Sequence, residues 1–244
     1  MVVKMNNFAV IDCRMSQKCQ NSLKNIGFTL IDVPQNNYLD KPVSAHPDIQ
    51  MFSIYNDILA DKTLAEKLKH MFSTGECNYK IRGFELYDFD TRYPYDCTLN
   101  FAVCGNKLIG NRRIINHELL HLAEMYSMEI IDVNQGYAKC NICVVNDNAI
   151  ITEDKGIAKA CIKNGLSVLL LETNSVKLKG YKNGFIGGAS GTIFFENKNT
   201  VMFCGDITMH PEYNRISEFV HNNGAEYISL SDEPLYDYGS IFVL

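Results

Sequence analysis

The sequence predicts an α/β fold of one particular kind: five strand–strand–helix–strand units closed into a pseudo-symmetric, five-bladed α/β propeller. Three observations lead there. A short amphipathic helix pattern that closes on a small residue and runs into an apolar strand recurs along the chain. A pair of apolar runs joined by an Asn, Asp, Gly or Lys turn precedes each of these helices. Finally, the apolar stretch 239–244 reads as a first strand whose partner lies at the opposite end of the chain, in 6–13.

Taken in order, the helix-to-strand pattern occupies 16–33, 116–133, 154–172 and 210–230. Gly27, Gly165 and Gly224 stand where a helix end needs a left-handed residue, and Ser127 holds that place in the second copy. A weaker copy, 62–75, also ends on glycine and leads into a stretch read as an insertion up to about Arg92. The strand pairs are 48–61, 99–110, 140–152 and 190–205. Aligning the first strands puts Gln50, Asn100, Asn141, Gly191 and Ser240 at one position, at intervals of 50, 41, 50 and 49 residues. Pairing the two termini would close the ring and hide the open edges of a row of such units.

Composition narrows the function. With 46% apolar and 21% charged residues, the 244-residue chain has ordinary globular usage and is read as a single domain, 1–244. Its net charge is −5, without the clustered Lys/Arg excess that nucleic acid requires. No stretch approaches the roughly 18 continuous apolar residues of a membrane span. Nine scattered cysteines, an odd number in a chain too large to need staples, indicate reduced thiols and a cytoplasmic location. The expected partner is a small molecule, with no nucleic acid, membrane, cofactor or metal.

The repeat resembles the pentein propeller of the guanidino-group-modifying enzymes, which include arginine deiminases, dimethylarginine dimethylaminohydrolases, agmatine deiminases and amidinotransferases. The phrases HPDI at 46, YPYDCTLN at 93, QGYAKCN at 135 and GFIGGASG at 184 look like those of an uncharacterised bacterial family with that fold. The resemblance covers nearly the whole chain. It implies a central funnel in which a thiolate attacks the guanidino carbon, a histidine moves protons and carboxylates hold the guanidinium. An enzyme of this type would be a hydrolase or transferase acting on C–N bonds.

Several of those residues are replaced. Asp48 falls on the family's aspartate, but Ser53 and Ile54 occupy the place of the acidic pair that follows in dimethylaminohydrolase-like members. Tyr137 stands in for the histidine, with Lys139 in register, and a phenol with a pKa near 10 is a poor proton shuttle. After the glycine run, Ser190 or Thr192 takes the cysteine's place. The nearest thiols are Cys140, read as lying in the fourth unit's first strand, and Cys97, ahead of the third's.

The catalytic candidates are therefore Asp48, Cys140 and Ser190. The substrate-binding candidates are His46, Asp48, Asp96, Asn100, Lys139, Asn141 and Ser190. Two plainer readings stand beside these. His46-Pro47-Asp48 also suits a solvated turn capped by the aspartate, and polar residues recurring where five units converge also suit satisfying backbone groups there.

Two motifs invite other chemistry. His117-Glu118-Leu119-Leu120-His121 matches the zinc-protease signature. In the repeat alignment, however, both histidines fall on positions that are polar in every copy, the outer face of a helix. Cys140 and Cys143 are spaced as a CxxC, but on a strand they would point to opposite faces. The sequence thus supports a guanidino or amino-acid-like ligand at the funnel, bound or hydrolysed. The alternatives are a non-catalytic scaffold or interaction module, as ribosome-associated members of this fold are, and a zinc hydrolase at 117–121.

Overall fold

The computed structural model describes residues 8–73, 78–85 and 92–244. Strands of two to six residues pair into five three-stranded sheets. The first contains β1 (Phe8–Asp12) and β2 (Thr29–Val33), and the second β3 (Met51–Ile54), β4 (Asp57–Asp61) and β5 (Lys80–Phe84). The third holds β6 (Ala102–Cys104), β7 (Lys107–Gly110) and β8 (Glu129–Asp132). The fourth holds β9 (Ile142–Asn146), β10 (Ala149–Thr152) and β11 (Ser167–Leu170). The fifth is built from β12 (Ser190–Phe195), β13 (Lys198–Phe203) and β14 (Glu226–Ser229). The last strand, β15 (Phe242–Val243), pairs antiparallel with β1 through Ala9–Val243 and Val10–Phe242, so the first sheet joins the two ends of the chain.

Every sheet has the same wiring. A hairpin joins the first two strands in sheets two to five, the two chain ends supply that antiparallel pair in the first, and in all five a helix carries the chain across to a third strand parallel to the second. These crossover helices are α1 (Gln17–Ile26), α3 (Lys62–Phe72), α4 (His117–Met125), α6 (Lys155–Lys163) and α7 (Tyr213–Asn222). Apolar residues three or four apart, such as Leu119, Leu122 and Ala123 of α4, bury one face of each helix. Ser16, Asp61, Asn116 and Asp154 accept from first-turn backbone N–H groups at the N-termini of α1, α3, α4 and α6. Gly27, Ser127, Gly165 and Gly224 take positive φ at the far ends, as the small-residue pattern predicts.

The core is five clusters, each between neighbouring sheets. Each helix wedges between its own sheet and the preceding one: Cys19 and Leu23 of α1 meet Met202 and Cys204 of the fifth sheet, and Leu64 and Leu68 of α3 meet Val10 and Ile31 of the first. The closed five-bladed α/β propeller is thereby established.

Two expectations need correction. The segment read as an insertion up to Arg92 contains β5, the regular third strand of the second blade, whose alternation is masked by Arg82 and Gly83. Gly75, expected to end α3, lies outside the described residues. Also, Asp48, Cys140 and Asn141 are not on first strands. They lie in one-turn helices just ahead of them, α2 (Pro47–Gln50) and α5 (Ala138–Asn141).

Candidate functional site

The starts of all five repeats meet at the centre of the ring. Asp48 Oδ2 accepts from Cys140 Sγ at 3.0 Å and from Ser240 Oγ at 2.9 Å, and Ser240 Oγ accepts from Lys139 Nζ at 2.9 Å. Asn100 is the clasp. Its amide nitrogen donates to the Asp48 carbonyl (2.9 Å) and to Cys140 Sγ (3.3 Å), while its oxygen accepts from the backbone N–H groups of Lys139 (2.7 Å) and Cys140 (3.2 Å). The fifth repeat contributes backbone: Gly188 N donates to Cys140 O, and its carbonyl accepts from Ser240 N, both at 2.8 Å. A side chain at Gly188 would collide with the Asp237 carboxylate, so here the glycine run serves close packing.

This network is sealed from solvent. Asp48, Asn100, Cys140 and Ser240 are all buried. Burial and the adjacent Asp48 charge push the Cys140 thiol well above its ordinary pKa, so it is a protonated donor rather than a nucleophilic thiolate. Burial also raises Asp48 itself. The solvated-turn reading of His46-Pro47-Asp48 is overturned, because all three residues are buried.

His46 sits beside the network, between two further buried carboxylates. Its ring nitrogens are 4.0 Å from Asp12 Oδ2 and 3.9 Å from Asp237 Oδ1 and make no hydrogen bond. Desolvation, with Arg14 nearby, pulls the imidazole down to about 3, so it is neutral. Asp12 is held by the Arg14 guanidinium through Nε (2.9 Å to Oδ1) and a terminal nitrogen (2.5 Å to Oδ2). Asp237 accepts from the backbone of Phe185 and Gly239, and burial together with the Asp48 charge pushes it up to about 7.

Two loops cover this face. Arg14 donates to the carbonyls of Lys41 and Pro42, and Gly180 packs so closely on Pro42 that a Cβ would lie 2.6 Å from its ring. Beneath them Leu39, Val43, Ile49 and Leu178 form an apolar plug, with Tyr137 and Tyr236 packed on it. A cavity lies on each side of the plug. One, of about 670 Å³, has Asp12, His46 and Asp237 in its walls together with Arg14, Lys179 and Tyr238. The other, of about 680 Å³, is lined by Tyr38, Tyr93, Tyr137 and Tyr181 and by the carboxylates of Asp40 and Asp96. Arg92 stands at its edge.

In that second cavity Asp96 Oδ2 accepts from Tyr137 OH at 2.7 Å and Oδ1 from Cys97 Sγ at 3.1 Å. The Tyr93 and Tyr137 rings lie 5.3 Å apart, and Tyr181 OH donates to Asp40 Oδ2 at 3.1 Å. Burial raises the Tyr137 hydroxyl, which stays protonated.

The structure therefore divides the sequence candidates. Asp48, Asn100, Lys139 and Cys140 come together, His46 adjoins them through a different set of carboxylates, and Asp96 belongs to the tyrosine cavity. Asn141 donates to Tyr137 O at 2.9 Å, and Ser190 Oγ donates to Gly187 O at 3.1 Å. Thr192 bonds Val144 O beside a shallow hollow of about 180 Å³ that also contains Ser190, Lys139 and Phe242. Between the two, a side chain at Gly191 would overlap Ile241.

His117 and His121 are both exposed on α4. Among the described residues, the one cluster with metal-ligand spacing is instead His46, Asp48 and Cys140. Asp12, Asp237, Tyr236 and Ser240 were not among the site candidates. Carrying the repeat alignment four residues upstream places Tyr236 level with His46, Asp96 and Tyr137, a signal that was available in the sequence.

Comparison with known proteins agrees with the fold. Residues 10–242 match a family of unknown function (DUF6873). No curated protein matches. Among solved structures, C. jejuni agmatine deiminase is similar, with a TM-score of 0.50, 9% identity, and coverage of 93% of this chain and 87% of that one. A variant of that enzyme with substrate bound matches equally. The fold is thus the pentein propeller. No described helix is long and apolar enough to cross a membrane.

Proposed function

The chain belongs to that family of unknown function, DUF6873, and for it we propose a non-hydrolytic role: binding a small molecule that carries a guanidinium or primary ammonium group in the tyrosine-lined cavity. One observation carries the reading. Four tyrosines and two carboxylates converge on a single cavity of about 680 Å³, while the one thiol at the ring centre is buried and protonated.

Tyrosine faces attract a cation through their quadrupoles, and a desolvated carboxylate makes charge-assisted hydrogen bonds to it. Asp96 suits this task. It is buried, and the one donor on each of its oxygens leaves lone pairs free for a ligand. Likeness to a protein named agmatine deiminase makes agmatine the first probe. Arg92 at the cavity edge makes arginine, which adds a carboxylate, the second. All eight described cysteines are free thiols, which supports a cytoplasmic placement.

Calorimetry with agmatine and arginine tests the reading, with ammonia and urea assayed in parallel. We expect binding without turnover, weakened about tenfold or more in Asp96→Asn, since a lost charge-assisted contact is worth about 1.5–3 kcal/mol. Absence of binding to any guanidine or amine, or binding indifferent to Asp96→Asn, refutes the cavity assignment. Turnover abolished by Cys140→Ser refutes the non-hydrolytic role.

A further inference from the structure

A buried neutral imidazole ordinarily donates one hydrogen bond and accepts another. His46 does neither: both ring nitrogens are shielded from solvent and unpartnered, and so is Asp48 Oδ1. Such a concentration of unsatisfied polar atoms needs a physical reason, and an ion is one of the few available. The donors supply the rest of the case. An imidazole nitrogen of His46, a carboxylate oxygen of Asp48 and the Cys140 sulfur lie within 4.8 Å of one another. Nitrogen, oxygen and thiolate sulfur together are the ligand set of zinc rather than of magnesium or calcium.

We propose that His46, Asp48 and Cys140 form a three-ligand Zn2+ site at the centre of the ring. Of the three, His46 also lines the cavity that contains Asp12 and Asp237. This site is separate from the tyrosine-lined cavity and shares no residue with it.

Three features of the surroundings suit the assignment. Three carboxyl groups, Asp12, Asp48 and Asp237, and the Cys140 thiol gather around only two cations, Arg14 and Lys139, so acidic groups are in excess where a divalent cation would sit. On binding, a Zn–S bond replaces the S–H bond and the thiol proton is released. Asn100 Nδ2 at 3.3 Å and Ser240 Oγ at 2.9 Å already point donors at the sulfur and at the Asp48 carboxylate, as outer partners of a metal site do. Lastly, Gly239 at φ +68° presses on His46, where a Cβ would lie 2.3 Å from the His46 Cβ, so the imidazole is fixed in place.

The experiment is zinc titration by calorimetry, with elemental analysis after dialysis. It uses the full chain, Cys140→Ser, His46→Ala, and a His117→Ala/His121→Ala control. We expect one equivalent of zinc in the wild-type chain and in the control, with at least tenfold weaker binding in each of the other two. Cobalt substitution should give a thiolate-to-cobalt charge-transfer band that Cys140→Ser removes. Should Cys140→Ser fail to fold, Asp48→Asn takes its place, and added zinc should raise the melting temperature of the wild type but not of this variant. Failure to bind one equivalent, binding unchanged in His46→Ala and Cys140→Ser, or binding lost only in the α4 control overturns the proposal.

Discussion

Asp48 shows how one residue type acquires its role from its surroundings. Its carboxylate accepts directly from a thiol and a hydroxyl and lies in the field of Lys139, so it organises the axis instead of capping a turn. Glu153 offers the cleaner test of such burial. Its Oε2 accepts from Ile186 N at 3.3 Å, its Oε1 is shielded and unpartnered, and burial lifts its pKa from 4.5 to about 8. Between those values the folded chain holds more protons than the unfolded one, so stability falls as pH rises through the window. Glu153→Gln removes the titration. Urea melts should show the variant near wild type at about pH 5 and more stable by on the order of 1–3 kcal/mol at about pH 9. A constant difference at both pH values would show that Glu153 is not the titrating group. Residues such as Asp48, Asn100, Lys139 and Cys140 were legible because the repeat brings its own starting positions together. Asp12 and Asp237 were not, since they reach the centre from the end of β1 and from the loop before β15, outside the aligned first strands.

At the level of elements, local chemistry and tertiary packing agree almost everywhere, which is why the five crossover helices could be read from periodicity and, for α1, α6 and α7, from the glycine that follows. What escaped was short or disguised. One-turn helices such as α2 and α5 hold four residues each, too few to show a 3.6-residue period. The copy that breaks the glycine rule makes a prediction of its own. Ser127 takes φ +53° in the turn after α4 and pays the Cβ strain that Gly27, Gly165 and Gly224 avoid at the equivalent positions. Relief of about 1–2 kcal/mol, less the extra backbone entropy glycine loses on folding, leaves a net gain of ~0.5–1 kcal/mol for Ser127→Gly. Thermal unfolding checks this, and a neutral or destabilised variant would mean that the αL turn is not strained.

For the whole molecule, the central question is what closure contributes. A linear array of such units would end in two open edges, each interface answering only to its neighbours. Here residues 241–244 do two jobs. Ile241 belongs to the cluster between the fifth and first blades, whereas Phe242 and Leu244 pack on the one between the first and second. Phe8 and Leu244 also exchange backbone hydrogen bonds of 3.1 and 2.9 Å. Closure was foreseeable because the stretch 239–244 repeats the alternation of the other first strands. Its energetic weight was not, since that depends on which clusters the strand enters. Deleting residues 241–244 removes side chains from two interfaces at once and bares the edge of β1. With the buried Ile241 worth about 2–5 kcal/mol and the half-buried Phe242, Val243 and Leu244 adding to it, the loss should reach ~4 kcal/mol, a large share of a typical domain's stability. Hydrogen exchange discriminates the mechanism. If the ring is held by its closure, amides of β13 and β4, in the blades on either side of the seam, lose protection together with those of β1. Faster exchange confined to β1 would show that the terminal strand only decorates an array already stable without it.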